Sequence, residues 1–180
     1  LEVVLPTGEI IKSKTYPRAS IGPMVDRLFL GSEGTLGIVT HCTCRIWPKP
    51  EKQGLVSFKF SKMQDCLDAI RETYQHQVNP AVVRIYDKIE TERHFATTMK
   101  HIKDKIMVVF VCEGPRDVVD LEVKVTKDKC MKYNGEDTGE VPVHHWFETR
   151  FSVKESSEYG PYGLVFDTIE VSCMWDKANE

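Results

Sequence analysis

Residues 26–40 read DRLFLGSEGTLGIVT and contain three glycines at a spacing of three, Gly31, Gly34 and Gly37. Glycine accepts backbone conformations with positive φ and lets a ligand approach the main chain closely. Free N–H groups flanked by serine and threonine hydroxyls form a concavity that binds anions. The stretch therefore predicts a backbone cradle for a phosphate or a polar ring edge, followed by a strand.

Glycine spacing alone leaves a second interpretation open, a tight turn between two elements. The stretch lacks the G-x-G-x-x-G order of a dinucleotide-binding βαβ unit and has no G-K-[ST] ending. The full string GSEGTLGIVT favours the cradle, because it resembles the signature near the end of the FAD-binding domain in flavoproteins of the vanillyl-alcohol-oxidase type. That group includes glycolate oxidase D-subunits, D-lactate dehydrogenases and alkyl-dihydroxyacetone-phosphate synthases.

This resemblance implies an FAD cofactor and a first domain, residues 1–50, that is the end of a PCMH-type FAD-binding domain. It implies that residues 51–180 are an incomplete FAD-linked oxidase cap domain, which binds the substrate. It implies that seven residues line FAD, mostly through backbone groups: Glu33, Gly34, Thr35, Leu36, Gly37, Ile38 and Val39. A solvent-facing turn residue is the alternative for Glu33.

Composition excludes several classes of function. The 180 residues carry a net charge of −3, so no basic surface indicates nucleic-acid binding. The longest apolar runs are too short to span a bilayer. Six scattered cysteines without a C-x-x-C pair are more typical of reduced core residues than of bridges or metal ligands. The chain does not begin with Met and its first residues read as the middle of a domain, so we expect a fragment.

The first 50 residues predict a β-hairpin (1–5 and 9–14), a loop with two prolines, one helical turn and a strand over residues 38–46. We expect the helical turn, within residues 25–30, to bury Val25, Leu28 and Phe29. Cys42 and Cys44 would share one face of the strand. Residues 47–52 combine two prolines with charges, which is typical of a linker.

Residues 51–180 predict an α+β unit with a ferredoxin-like antiparallel sheet and helices on one side. Strands are expected over 55–60, 81–86, 106–112 and 165–173, with a polar turn at 134–137. The first helix would follow a Ser61 cap with an apolar face of Met63, Leu67, Ile70 and Tyr74. A second helix is expected from an Asp87 cap to about residue 100. A third would begin at Pro115 and bury Val118, Leu121 and Val125 on its inner face, and a fourth is expected over residues 141–151.

Three other islands resemble the alkyl-dihydroxyacetone-phosphate synthase branch: PRASIGP (17–23), PAVVRIYD (80–87) and TIEVSCMWDK (168–177). The resemblance implies that Arg84, in an otherwise apolar strand, faces the substrate's anionic end. An unpaired buried guanidinium is costly and its fork suits phosphate or carboxylate. A salt bridge to Asp87 or Glu90, or an exposed edge position, is the alternative. Arg18 is a second substrate-binding candidate, with loop anchoring as its alternative.

Parts of the family pattern are missing. Met24 stands where that branch usually has Asp, and the family's catalytic tyrosine is absent in register, with Tyr159 and Tyr162 as the nearest replacements. No catalytic residue is therefore assigned. His144 and His145 have no regularly spaced third ligand, so no metal site is predicted, and we expect one exposed and one packed histidine. Neither the family's N-terminal glycine-rich loop nor its C-terminal histidine-rich segment is found.

We expect an FAD-dependent oxidoreductase acting on a small anionic hydroxy acid or a glycerone-phosphate-type substrate, with the 180 residues alone inactive. One alternative is an alkylglycerone-phosphate synthase that exchanges an acyl for an alkyl group in ether-lipid synthesis. Another is a non-catalytic α+β interaction domain. The expected partners are a small anionic substrate and no nucleic acid, with a homodimer left open. The expected location is cytoplasmic, or peroxisomal for a eukaryotic ether-lipid enzyme.

Overall fold

Two antiparallel sheets organise the computed structural model, which describes residues 1–16, 20–152, 160–163 and 169–179. Each sheet belongs to its own unit, Leu1–Pro48 or Lys49–Glu180. Mixed helices and antiparallel strands confirm the predicted α+β class.

The first unit contains strands β1 (Glu2–Val4), β2 (Ile10–Lys12) and β3 (Ile38–His41) in the order β2-β1-β3. The predicted hairpin is confirmed: Gly8, at φ 86°, donates to the Leu5 carbonyl in the turn. β3 is shorter than expected and stops at His41, opposite Glu2.

One prediction in the first unit is wrong in its burial. A 3-10 helix does form at Val25–Leu28, but it has no buried residue. Val25 is 46% exposed and Leu28 is 65% exposed, and Phe29 is half-buried. Among the described residues of this unit, no second layer covers the apolar side of the turn.

The second unit contains β4 (Lys52–Phe60), α1 (Met63–Gln75), β5 (Val82–Tyr86), α2 (Lys88–Phe95), β6 (Ile106–Gly114), α3 (Arg116–Lys132), β7 (Glu136–Asp137) and α4 (Val141–Thr149). The sheet order is β5-β6-β4-β7, with every pair antiparallel. β6 lies between β4 and β5, and β4 lies between β6 and β7. This is the ferredoxin-like arrangement of two split β-α-β units.

Helices cover both faces of this sheet rather than one. α1 and α3 lie on the predicted side, where the buried side chains are Val56, Phe58, Phe60, Cys66, Ala69, Ile70, Ile106, Val108, Phe110 and Cys130. α2 and α4 cover the opposite face, where they are Phe95, Ile102, Met107, Val109, Val111, Val143 and Trp146. Because both faces of β6 are covered, its first seven residues are all buried and read as a continuous apolar run.

Three helices, α1, α2 and α3, differ from expectation. In α3 the buried residues are Val119, Thr126 and Cys130, while the expected Val118 and Leu121 are exposed. The helix turns Val119 and Val123 towards Gly54 of β4, where a Cβ would lie 3.0 and 2.3 Å from their methyl groups. Glycine at position 54 therefore sets which face of α3 is buried.

At the start of α1, Ser61 does not cap the helix; its hydroxyl accepts a bond of 2.8 Å from the Lys105 amine. Tyr74, expected on the inner face of α1, is 42% exposed. α2 has the expected Asp87 cap, which accepts the Glu90 N–H at 2.8 Å, but it ends at Phe95.

The polar turn expected at 134–137 is in part a strand, because Glu136 and Asp137 pair with Lys59 and Phe58 as β7. Of the last expected strand, residues 165–168 lie outside the described residues, and residues 169–173 form no strand. Two short 3-10 helices, Gly160–Tyr162 and Trp175–Lys177, complete the described elements.

Candidate cofactor and substrate-anion sites

The glycine stretch is a series of tight turns in the first unit. Gly31 and Gly34 both have φ 79°, and Glu33 between them has φ 49°, so three residues adopt the left-handed conformation that glycine tolerates best. The hydroxyls of Ser32 and Thr35 donate to the carbonyls of Phe29 and Ser32 at 2.9 and 2.6 Å. These hydroxyls therefore hold the turns together.

Main-chain donors in the same stretch are free. Among the described residues, the N–H groups of Glu33, Gly34 and Leu36 have no hydrogen-bond partner. A Cβ added at Gly34 would meet no atom within 4 Å, so the backbone there can be approached. Unpaired amides in left-handed turns fit the polar edge or the phosphates of a nucleotide cofactor. The residues present are therefore compatible with a contact to FAD.

Gly37 has a structural role of its own. A Cβ at this position would lie 2.8 Å from both the Val3 Cγ1 methyl and the Val4 carbonyl oxygen. Only a residue without a side chain lets the loop enter β3 so close to β1. The apolar side chains on either side of Gly37 are largely exposed: Leu36 is 49%, Ile38 69% and Val39 45% exposed.

Arg84 lies in the second unit, on the exposed edge of the sheet. It is the central residue of β5, opposite Val109 of β6. Val82 and Tyr86 pair with Val111 and Met107, so these two residues and Arg84 share the face that α2 and α4 cover. The side chain of Arg84 is exposed, so the structure shows the exposed edge position that was named as the alternative, and burial does not force this guanidinium to bind an anion.

The carboxylates considered as alternative partners of Arg84 bind other groups. Asp87 caps α2 through the Glu90 N–H. Glu90 pairs with His94 at 2.9 Å and with Arg93 at 3.3 Å. Within the part of the chain that the structure describes, Arg84 has no ion-pair partner. Its guanidinium therefore remains available to an external anion.

Tyr86 is a neighbour of Arg84 that sequence analysis missed. Its ring packs edge-on against His94 and Phe95, with centroids 5.4 and 5.1 Å away. Burial raises the pKa of the Tyr86 hydroxyl, and the positive charge of the nearby Arg84 guanidinium opposes that rise. The sequence does contain a signal for this neighbour: Arg84 and Tyr86 are two residues apart in a strand, which places both side chains on one face.

α4 separates its two histidines as predicted. His144 is exposed and lies 3.8 Å from Glu140, while the ring of His145 packs 5.8 Å from that of Phe95. Arg150 stacks over Trp146 at 5.0 Å. Among the described residues no three His, Cys, Asp or Glu side chains are grouped to hold a metal ion.

Two sequence candidates cannot be placed. Arg18 and Tyr159 lie outside the described residues, and Tyr162 is 79% exposed. The glycine-stretch candidates all lie in the first unit, and Arg84 lies in the second.

Comparison with known families identifies the second unit. Residues 49–180 match the family described as FAD linked oxidases, C-terminal domain. The chain belongs to this family. FAD as the cofactor and an enzyme as the class, both predicted from the sequence, are confirmed at the level of the family.

Named relatives fall into two groups. An alkyldihydroxyacetonephosphate synthase of Caenorhabditis elegans is 27% identical, over 98% of this chain and 34% of that protein. A D-lactate dehydrogenase of Anaerostipes hadrus is 33% identical, over 52% of this chain and 20% of that protein. A solved alkyldihydroxyacetonephosphate synthase has the same fold, with a TM-score of 0.61, 23% identity, and coverage of 84% of this chain and 31% of that one. The chain thus spans about a third or less of the length of these relatives.

Among the described helices, none has the length and apolar character needed to cross a membrane.

Proposed function

We propose that the protein is an FAD-dependent oxidoreductase that acts on a small anionic hydroxy acid or a glycerone-phosphate-type substrate. The observation that carries this proposal is Arg84, an exposed guanidinium whose nearby carboxylates bind other groups. A planar fork of donors suits the carboxylate of a hydroxy acid or the phosphate of a glycerone phosphate. Membership of an FAD-linked family supports the redox part.

Two parts of the chain have distinct roles in this proposal. Residues 33–39 hold the cofactor through main-chain amides, and the side chain of Arg84 binds and orients the anionic end of the substrate. FAD, when bound, supplies a two-electron acceptor. Binding of the anionic end by Arg84 restricts the orientations that the substrate can adopt, and such positioning is a large part of what a protein adds to cofactor chemistry.

Anaerobic reduction of the flavin tests the reaction type. We expect D-lactate or glycolate, added without oxygen to the full-length protein, to bleach the visible flavin absorbance. The substrate must lose two electrons for this change to occur. A colourless full-length protein that does not take up added FAD would contradict the proposal.

The second candidate function is that of an alkylglycerone-phosphate synthase. The relative that aligns with 98% of this chain carries that name, which favours this candidate. The synthase candidate predicts that no hydroxy acid bleaches the flavin absorbance. It also predicts that the protein turns over an acyl-glycerone phosphate with a fatty alcohol. Sequence analysis found no tyrosine in register with the family's catalytic acid, and this favours the oxidoreductase.

Removal of the guanidinium tests the substrate site. Hydrogen bonds to charged groups contribute about 1.5–3 kcal/mol, so Arg84→Ala should raise KM for an anionic substrate by about 10- to 150-fold. Arg84→Lys keeps the charge but loses the fork, so it should recover only part of this. Arg71→Ala is the matched control, because Arg71 is also an exposed arginine, paired with Asp68 on α1. Equal KM values for wild type and Arg84→Ala would remove the assigned role.

Assembly and location are proposed without further support from the fold. We keep the cytoplasm as the expected compartment, or the peroxisome for a eukaryotic ether-lipid enzyme. A D-lactate dehydrogenase [cytochrome] of Arabidopsis thaliana is named as mitochondrial, so mitochondria are a competing outcome in a localisation experiment. A homodimer remains a proposal that sedimentation of the full-length protein tests.

A further inference from the structure

Two exposed thiols touch in the segment that follows β3. Cys42 and Cys44 are both exposed, and their Sγ atoms lie 3.6 Å apart. Of the other cysteines, Cys66, Cys112 and Cys130 are buried, and Cys173 is exposed. The prediction of reduced core residues is therefore right for the three buried cysteines and wrong for the three exposed ones, which no core surrounds.

The geometry of the pair allows a covalent bridge. A disulfide has an S–S distance of ~2.05 Å, so the two sulfur atoms need to approach by about 1.5 Å. A disulfide also holds its two Cβ atoms ~3.5–4.5 Å apart, closer than a fully extended chain allows for residues two apart, so closure requires a local bend at Thr43 as the side chains rotate. Residues 42–44 belong to no strand, so no ladder of backbone hydrogen bonds opposes this bend.

We propose that Cys42 and Cys44 form a redox-active dithiol that closes to an intramolecular disulfide by exchange with a small-molecule disulfide such as oxidised glutathione. The thiolate of Cys42 attacks one sulfur of glutathione disulfide, forms a mixed disulfide and releases one glutathione. The thiolate of Cys44 then attacks the Cys42 sulfur and displaces the second glutathione. Two protein thiols are oxidised, one external disulfide is reduced, and the two thiol protons pass to the two glutathiones.

The surroundings assign the order of the two steps. The hydrogen bond that the Cys44 S–H donates to Cys42, and the negative charge of the Cys42 thiolate, raise the pKa of the Cys44 thiol. Cys44 therefore holds its proton while Cys42 reacts, and it serves as the resolving thiol. The buried thiols do not compete, because burial raises the pKa of Cys66 and Cys112 to about 12 and that of Cys130 further. The thiolate is the reactive form, so these three remain inert.

Mass spectrometry of the full-length protein tests the proposal. We expect incubation with oxidised glutathione to give a peptide that contains both cysteines, lacks the mass of two hydrogen atoms and carries no glutathione. Dithiothreitol should restore the original mass. A peptide that keeps one glutathione at Cys42 or Cys44, or that does not react at all, would overturn the proposal.

Single substitutions separate the attacking from the resolving thiol. Cys44→Ser should stop at a stable glutathione adduct on Cys42, since no second thiol can displace it. Cys173→Ser is the control, because it removes a lone exposed thiol and should leave closure of the bridge unchanged. Loss of the bridge in Cys173→Ser would contradict the assigned pairing. Native-state alkylation of wild type provides a measurement without substitutions: pre-oxidation should protect Cys42 and Cys44 together, and separate protection would count against the pair.

Discussion

The first unit leaves most of its apolar side chains in solvent, whereas the second buries them on both faces of a sheet. Within the described residues of Leu1–Pro48, Val3 is the only buried hydrophobic residue, and Ile38 and Trp47 are 69% and 71% exposed. In Lys49–Glu180, two clusters of buried side chains enclose β4 and β6. Both units use β-branched and aromatic residues, so the difference is whether a second layer covers the sheet.

This contrast predicts where resistance to unfolding lies. Buried apolar area is the main favourable term in folding, and the second unit contains almost all of it. Strands of the first unit are held by backbone ladders and surface charges, which stabilise little by themselves. We therefore expect amide hydrogen exchange in β1–β3 to proceed at lower opening free energies than in β6.

The largest expected effect is a cavity in the second unit. Phe110, in β6, is fully buried, and Phe110→Ala should cost about 3–5 kcal/mol of unfolding free energy in urea. Leu28→Ala in the first unit removes a side chain that is 65% exposed and should change stability by less than about 0.5 kcal/mol. If Phe110→Ala prevents folding, Ile70→Val should still cost about 0.5–1.5 kcal/mol. Equal losses at the two sites would remove the contrast between the units.

A smaller effect is expected from overfilling the interface of α3 with β4. A Cβ at Gly54 would lie 2.3 Å from Val123 Cγ2, so Gly54→Ala should cost about 1–3 kcal/mol. Val123→Ala removes the clashing methyl groups, and the double variant should recover part of the loss measured by urea unfolding. No recovery would show that the backbone of β4, rather than the packing of α3, requires glycine.

Local chemistry made much of the second unit predictable. The buried run of β6 and the Asp87 cap of α2 follow from residues adjacent in sequence, and both were predicted correctly. The phase of α3 was not, because it depends on Gly54, which lies 65 residues before Val119 and fits under the helix only in the folded sheet. Long-range packing of this kind leaves no periodic signal in the sequence.

The candidate sites divide in the same way. Positive φ values at Gly31 and Gly34 follow from the glycine spacing, and the free N–H groups there follow from the turns. The role of Gly37 beside Val3 and the position of Tyr86 beside Arg84 depend on strand register, which the sequence does not state. The exposure of apolar side chains in the first unit was predicted wrongly, because these side chains were expected to be buried under a second layer of structure.

A modest effect is expected from Tyr86→Phe. This variant tests whether the sheet face that α2 and α4 cover also contributes to anion binding at Arg84. The ring keeps its contacts with His94 and Phe95, so stability should change little. The variant removes the hydroxyl beside the Arg84 guanidinium, and the loss of one hydrogen-bond acceptor there, worth about 0.5–1.5 kcal/mol, should raise KM by about 2- to 12-fold. We expect kcat to remain near the wild-type value in steady-state assays. A fall in stability with KM unchanged would instead assign Tyr86 to packing alone.

The smallest effect compares one surface carboxylate in each unit. In the first unit Glu2 joins the three strands: it lies 2.6 Å from Lys12 of β2, and it accepts from Thr40 of β3 at 2.7 Å and contacts His41 at 2.8 Å. In the second unit Glu72 of α1 binds two lysines of α3, at 2.8 and 2.6 Å. Hydrogen bonds from these partners, the lysines first, lower the pKa of each carboxyl to about 2.

Acid should therefore weaken both units over the same pH range. The folded pKa lies below the unfolded value of ~4.3, so each contribution is fully present above about pH 4.3 and is lost as the pH falls towards 2. Glu2→Gln and Glu72→Gln should each lower stability at pH 7, and the difference from wild type should shrink below about pH 4. Urea unfolding at pH 7 and pH 3, followed by hydrogen exchange of peptides from each unit, measures both. If Glu72→Gln altered exchange in β1–β3 as strongly as in α1, the two units could not be treated as separately stabilised.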